Sequence, residues 1–267
     1  MNIWFTLLYQ PLVNALIAFY QLFGNLGVAI IGLTVVLRLL MIPLTTPSLK
    51  AAQKMKELQP ELAKLKAKYK HNQAEFAKAQ LELYQKHGAN PAAGCLPQLL
   101  QIVILIALFQ AFSQVLKTDG DIITKLNKIL YPFLRLADNH QIKTQFLYLD
   151  LTKPDLLSLP FVLDLGVFKL EKLPGFFLLA AAVVQFLSSK MMMPVVAKEK
   201  KLAKKTKEKT DDMAAMMQGQ MLYLMPLMTL FIGFTFPAGL VLYWLTFSVV
   251  MMFQQQWSSG GLEKRRK

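Results

Sequence analysis

The sequence predicts an all-α polytopic membrane protein that crosses the bilayer five times. Three observations carry that reading. The apolar residues, 54% of 267, gather in long blocks instead of the short alternations of a soluble sheet protein. The basic residues alternate between segments as they do between cytoplasmic and outer loops. One arginine, Arg38, stands alone inside an apolar run.

The apolar runs cover residues 27–43, 93–115, 174–192, 221–236 and 238–253. Each is long enough for a membrane helix, the fourth being the shortest. With their flanks they give transmembrane helices at 27–47, 90–116, 174–193, 217–236 and 238–257. The remaining segments are an N-terminal stretch (1–26), a helical hairpin (48–89), a segment at 117–173, a loop at 194–216 and a basic tail at 258–267.

The net charge of +14 invites a nucleic-acid reading, which its distribution argues against. Nine lysines lie between Lys50 and Lys86, eight between Lys190 and Lys209, and four basic residues close the chain. Residues 117–172 carry eight basic residues against seven acids and are nearly neutral. By the positive-inside rule the basic segments are cytoplasmic and 117–173 is outside. Five spans then place the N-terminus outside and the C-terminus inside, with DNA absent from the expected partners.

Residues 3–23 are apolar, uncharged and rich in Trp, Phe and Tyr, broken by Gln10, Pro11 and Asn14. Three readings stand side by side: an amphipathic helix on the outer surface, a sixth span, or a cleaved signal. In the next segment, Leu58, Leu62, Leu65 and Tyr69 follow helical spacing. A turn at His71–Gln73 precedes a second stripe of Phe76, Ala79 and Leu83, which Gly88, Asn90 and Pro91 stop. This hairpin is either a pair of solvated helices or a docking arm for anionic headgroups or ribosomal RNA. Lys54, Lys56, Lys64, Lys66, Lys68 and Lys70 would be its contacts. Residues 122–136 predict an amphipathic helix in the outer segment, followed by a loop through Leu149-Asp150-Leu151.

Catalysis finds no candidate. Cys95 is the only cysteine, and His71, His87 and His140 lack partners at metal-ligand spacing. There is no P-loop, nucleophile elbow or paired-carboxylate signature. The expectation is a protein without enzyme activity, metal or cofactor.

The polar residues inside the spans carry the functional reading. Arg38 lies eleven residues from Gly27, about 16 Å of helix rise, near the middle of the hydrocarbon. A central arginine costs roughly 2.5–3.5 kcal/mol on insertion scales. It is either a structural charge paired in the core or a charge lining a wet cavity. Thr34 is four residues earlier on the same face. Gln101 sits at the start of the second span, Gln185 and Ser189 on one face of the third, and Tyr243, Thr246 and Gln254 on one face of the fifth. Each alone reads as packing glue between helices; together with Arg38 they suggest a shared hydrophilic cavity. No Asp or Glu occurs in the spans, so a proton relay is poorly supported. Met191–Met193 and six methionines from Met213 to Met228 read as core filling or as an adaptable apolar track.

These stretches resemble the YidC/Oxa/Alb-type membrane protein insertases. The matching residues are Leu33–Arg38 with Pro43-Leu44-Thr45, Leu58-Gln59-Pro60-Glu61, Asn90-Pro91 and Gly94–Pro97 with Gln101, Phe146–Leu151, Phe236–Trp244, and Gln254–Gln256. The resemblance implies five core helices around a hydrophilic groove open to the cytoplasm and to lipid. It places the family's groove arginine on Arg38, its threonine on Thr34, the polar residue of the second span on Gln101 and the aromatic pair on Tyr243-Trp244. Trp244 stands where members often have a second tyrosine. The large outer domain of some members has no counterpart in these residues, and the basic tail is short.

The function so implied is insertion and chaperoning of nascent membrane proteins in the bacterial cell membrane. The groove would comprise Arg38, Thr34, Gln101, Gln185, Tyr243, Trp244 and Thr246. A hydrophobic slide would run over Ile104, Leu105, Phe109, Met225 and Met228. Expected partners are the nascent chains and the lipid bilayer, with the Sec translocon and the ribosome as further candidates; the expected state is a monomer. The rival is a small secondary transporter or channel for an anionic solute, which the lack of an internal repeat disfavours.

Overall fold

The protein is described by a computed structural model covering residues 3–69, 72–89, 96–115, 122–164, 169–192, 223–224 and 226–263. It divides into two compact units, one of Met1–Leu39, Ile102–Phe186 and Leu224–Val250, the other of Leu40–Gln101, Leu187–Tyr223 and Met251–Lys267.

A turn of π-helix at Phe5–Tyr9 leads into α1 (Gln10–Phe23). Its end is set by Gly24, whose φ of 67° is open to glycine and strained for other residues. Asn25 then starts α2 (Leu26–Glu57) by accepting from the Gly27 and Val28 amides at 2.9 and 3.2 Å. Helix α2 has 32 residues, about 48 Å of rise, more than the roughly 30 Å of a hydrocarbon core. It passes through Pro43 and Pro47, so the apolar run from Gly27 and the start of the following polar stretch are one helix. Lysine, alanine, glutamine and methionine after Pro47 favour propagation. Thr45 and Thr46 hydroxyls bond back to the Met41 and Ile42 carbonyls at 2.9 and 2.6 Å beside the prolines.

The chain continues through α3 (Gln59–Lys68), α4 (Gln73–Lys86), α5 (Leu96–Val115) and the short α6 (Ile122–Asn127). The helix expected over residues 122–136 thus ends early. Asn127 donates to the Leu136 carbonyl at 2.8 Å and accepts from its amide at 2.9 Å, closing a loop that contains Pro132. Strands β1 (Gln145–Phe146) and β2 (Leu149–Asp150) pair, so the stretch expected as a loop through Leu149-Asp150-Leu151 begins as a strand, and β3 (Leu156–Asp164) pairs antiparallel with β4 (Lys169–Pro174). Then come α7 (Phe176–Met192), helical residues 226–233 (α8) and α9 (Ala238–Glu263). Among the described residues, stretches of α2 and α9 are long and apolar enough to cross a membrane, and α5 and α7 contain shorter apolar helices.

The first unit is built on an apolar core. It takes Leu16, Ile17 and Tyr20 from α1, Ala29, Ile30 and Leu33 from α2, and Ala107, Leu108 and Phe112 from α5. Leu178 and Ala181 of α7 and Leu240–Tyr243 of α9 complete it. Buried polar groups tie the segment after α6 to this core. The Asn14 side chain donates to the Ile129 carbonyl and accepts from the Tyr131 amide at 2.6 Å. Asp155, only 2% exposed, accepts from the Leu178 amide at 2.8 Å and so caps α7 from a distance. The Gly175 amide donates to the Asp155 carbonyl, and a Cβ on Gly175 would run into the Asp155 carboxylate.

In the second unit α3 and α4 adjoin. Leu58, Tyr84 and Ala89 are buried with Met55 and Leu83 packed on them. Asn72 caps α4 by accepting from the Glu75 amide at 3.2 Å. Within the same unit Gln254 of α9 donates to the Thr45 hydroxyl at 2.9 Å.

Candidate functional site

Helical spacing on α2 places Thr34 and Arg38 one turn apart, and both are buried. Arg38 is 7% exposed, and its guanidinium carbon lies 3.9 Å from the ring centroid of Phe247 on α9. Its Nε and Nη2 are buried and have no hydrogen-bond partner among the described residues. A buried donor without an acceptor costs about 1–3 kcal/mol, and more when charged. A cation over an aromatic face recovers about 0.5–2 kcal/mol. The guanidinium is therefore held by the aromatic face and keeps hydrogen-bonding capacity for a carboxylate or carbonyl.

The neighbouring polar side chains are mostly engaged within the helices. The Thr34 hydroxyl donates to the Ile30 carbonyl at 2.6 Å and Thr246 to the Leu242 carbonyl at 2.8 Å. Both hydroxyls keep lone pairs as acceptors. Gln185 of α7 accepts from the Ser248 hydroxyl at 2.9 Å. Tyr243 is buried, with its ring 6.1 Å from that of Phe247 one turn on. Trp244 is half-buried. Phe247 and Ser248 are the two residues that sequence reasoning passed over. An aromatic at i+4 from Tyr243 was the signal for the first, and nothing marked the second.

Gln101 falls in the second unit and is half-buried. Of the apolar set, Ile104 and Leu105 pack half-buried against the core, while Phe109 is exposed with its ring 5.1 Å from that of Phe236. Met228 is exposed, as are Ile102, Ile106, Leu227 and Phe231, none of which sequence reasoning had singled out. Such a display of large apolar side chains fits lipid or an apolar ligand better than water. Lys54, Lys64 and Lys68 are exposed and Lys66 is half-buried. Met225, Lys70, the Lys56 side chain, Cys95 and the 194–216 loop lie outside the described residues. Among the described residues no group of three or more His, Cys, Asp or Glu could hold a metal.

The model of the family described as 60Kd inner membrane protein matches residues 18–265. The chain belongs to this family. A relative from Pelobacter propionicus, described as membrane protein insertase YidC, is 33% identical over 259 residues. That match covers 95% of this chain and 39% of the relative. A Syntrophobacter fumaroxidans protein of the same description is 33% identical over 254 residues, covering 95% and 38%. A Geobacter sulfurreducens protein, again so described, is 43% identical over 108 residues, covering 40% and 20%. The chain thus spans about two fifths of the first two relatives. As a member of this family it is a membrane protein, and the family match takes in α2, with the buried Arg38, and α9.

Proposed function

We propose that this chain inserts nascent membrane proteins into the bacterial cell membrane through a hydrophilic groove centred on Arg38. The observation that carries the reading is the buried guanidinium whose Nε and Nη2 lack a partner among the described residues. In a low-dielectric setting such a group attracts an acidic or polar segment more strongly than it would in water. The outer segment of a nascent chain enters from the cytoplasm and meets Arg38, with Thr34, Gln101, Gln185, Tyr243, Trp244 and Thr246 as the polar lining. Its apolar helix leaves sideways into lipid past Phe109, Met225 and Met228. Apolar transfer at about 25 cal/mol per Å² drives that exit.

The topology that goes with this has five spans, the polar hairpin, the 194–216 loop and the tail in the cytoplasm, and 117–173 outside. The basic load supports it. For residues 3–23 we keep the interfacial reading, because Gln10 and Asn14 interrupt the apolar run and both bond to the Ile129 carbonyl of the 117–173 segment. The hairpin lysines supply contacts to ribosomes or anionic lipid, and the chain acts alone or beside the Sec translocon.

The test is protease protection of a single-span protein in proteoliposomes, run beside anion flux in the same vesicles. The expected result is protection without flux. Flux without protection would establish the transporter reading instead.

A further inference from the structure

A second feature of the first unit lies away from Arg38. A cavity of about 410 Å³ is lined by Tyr20 and Gln21 of α1, Gly24, and Arg135, His140 and Lys143 of the segment after α6. That volume is in the range of small-ligand sites. Its lining residues include Arg135 and Lys143 and no Asp or Glu. Both cationic side chains belong to exposed residues, and neither has an ion-pair partner among the described residues.

The wall is organised before any ligand arrives. The buried Tyr20 hydroxyl accepts from the Lys143 amide at 3.1 Å, lies 3.2 Å from His140 Nε2 and 3.4 Å from the Gln141 carbonyl. The His140 ring stands edge-on to Tyr20 at 5.7 Å. Gln21 donates to the Leu134 carbonyl at 3.0 Å. These bonds fix the backbone on both sides of the wall, so binding has chiefly the exposed side chains left to order. Within two residues of the lining in sequence are exposed large apolar side chains: Leu22 is 74% exposed, Phe23 49% and Phe133 79%. A basic, polar cavity whose two contributing segments also carry exposed apolar side chains matches an amphiphile with an anionic head.

We propose that this cavity binds the phosphate headgroup of an anionic phospholipid, with Arg135 and Lys143 as its charged contacts and Leu22, Phe23 and Phe133 against the acyl chains. Lipid held there would anchor α1 and the outer segment to the membrane surface. The site rests on the reading that α1 lies at that surface, but binding itself is measured without assuming which leaflet is involved.

The experiment uses the full chain in nanodiscs of phosphatidylcholine doped with phosphatidylglycerol, open on both faces. Retained lipid is counted by native mass spectrometry after release. Phosphatidylglycerol should be retained over phosphatidylcholine, and Arg135→Gln with Lys143→Gln should lower that retention about tenfold. Arg135→Lys with Lys143→Arg should keep it, and Lys125→Gln, elsewhere on the same segment, should leave it unchanged. Melting temperatures of all variants should agree, because these side chains are exposed. Equal retention of the two lipids, or an unchanged double-glutamine variant, would overturn the site. Displacement by inorganic phosphate alone would show a free-anion site and overturn the lipid assignment. Labelling of Asn139→Cys in a Cys95→Ser background by an impermeant maleimide reports the side of the membrane separately, so a wrong topology is not confused with a failed site.

Discussion

Asp155 and Arg38 are both buried in the first unit, yet their surroundings differ in kind. Asp155 lies in the segment between β2 and β3, and each carboxylate oxygen has a donor: the Tyr148 hydroxyl at 2.9 Å and the Leu178 amide at 2.8 Å. Arg38 lies mid-helix against an aromatic ring, with Nε and Nη2 unpartnered among the described residues. Burial is costly for either charge. A satisfied charge fixes the geometry around it, whereas an unsatisfied one gains most from what binds next. The Asp155 segment is thus built for rigidity, and the Arg38 region keeps capacity to bind.

The largest effect separating the two regions is expected at Arg38. Arg38→Glu should lower insertion of substrates with acidic outer segments about a hundredfold, and Arg38→Met about tenfold, with neutral substrates less affected. Arg38→Lys should stay within about threefold, since the charge survives. Arg38→Met keeps the side-chain volume and removes unpaired donors, so its melting temperature should match or exceed the parent's. Protease protection and thermal melts measure both. A Met variant that melts well below the parent would make Arg38 structural and dissolve the contrast with Asp155.

At Asp155 the expected order is reversed, with stability falling first. Asp155→Ala leaves the Leu178 amide and the Tyr148 hydroxyl without their acceptor and should cost about 3 kcal/mol. For a chain of this size that is roughly 6 to 12 °C in melting temperature. Tyr148→Phe removes one of the two bonds and should cost about 1 kcal/mol. Insertion per folded molecule should be unchanged in both. A melting temperature unchanged in Asp155→Ala would show that the cap on α7 contributes nothing.

The contrast was only half legible in the sequence. Arg38 was visible because a charge in a 17-residue apolar run has no soluble explanation. Its ring partner was not, because Phe247 is one of 18 phenylalanines and only the packing of α9 on α2 selects it. Asp155 gave no signal at all: its partners Tyr148 and Leu178 are 7 and 23 residues away, on elements whose pairing is tertiary. The β3–β4 hairpin was missed because its strands carry no clean alternation: Glu171 and Lys172 put two charges side by side in β4, and the apolar run Leu156-Leu157 opens β3. The helix expected over 122–136 failed because Pro132 and the reciprocal Asn127–Leu136 pair favour a closed loop. The reach of α2 past Pro43 and Pro47 was hidden for the opposite reason, since proline ordinarily marks a helix end.

The smallest effect tests whether depth, not charge, sets the difference. Asp150 lies five residues before Asp155 but is only half-buried, with its side chain 3.0 Å from the exposed Lys153 ammonium and 2.6 Å from the Thr152 hydroxyl. Burial pushes its carboxyl up, but the bonds from Thr152 and Lys153 outweigh this and hold it below the ordinary carboxylate value. A group whose pKa is lower folded than unfolded stabilises the fold above the unfolded value. That contribution fades as pH falls through the folded one. Asp150→Asn should therefore melt slightly below the parent at neutral pH, by about 1 °C, since an exposed pair contributes less than about 1 kcal/mol. The gap between parent and variant should close in acid, below the usual carboxylate range, and high salt should narrow it at neutral pH. Thermal melts across a pH series measure it. A gap as wide as that of Asp155→Ala would mean that the whole segment between α6 and α7, and not its buried carboxylate, holds the helix ends.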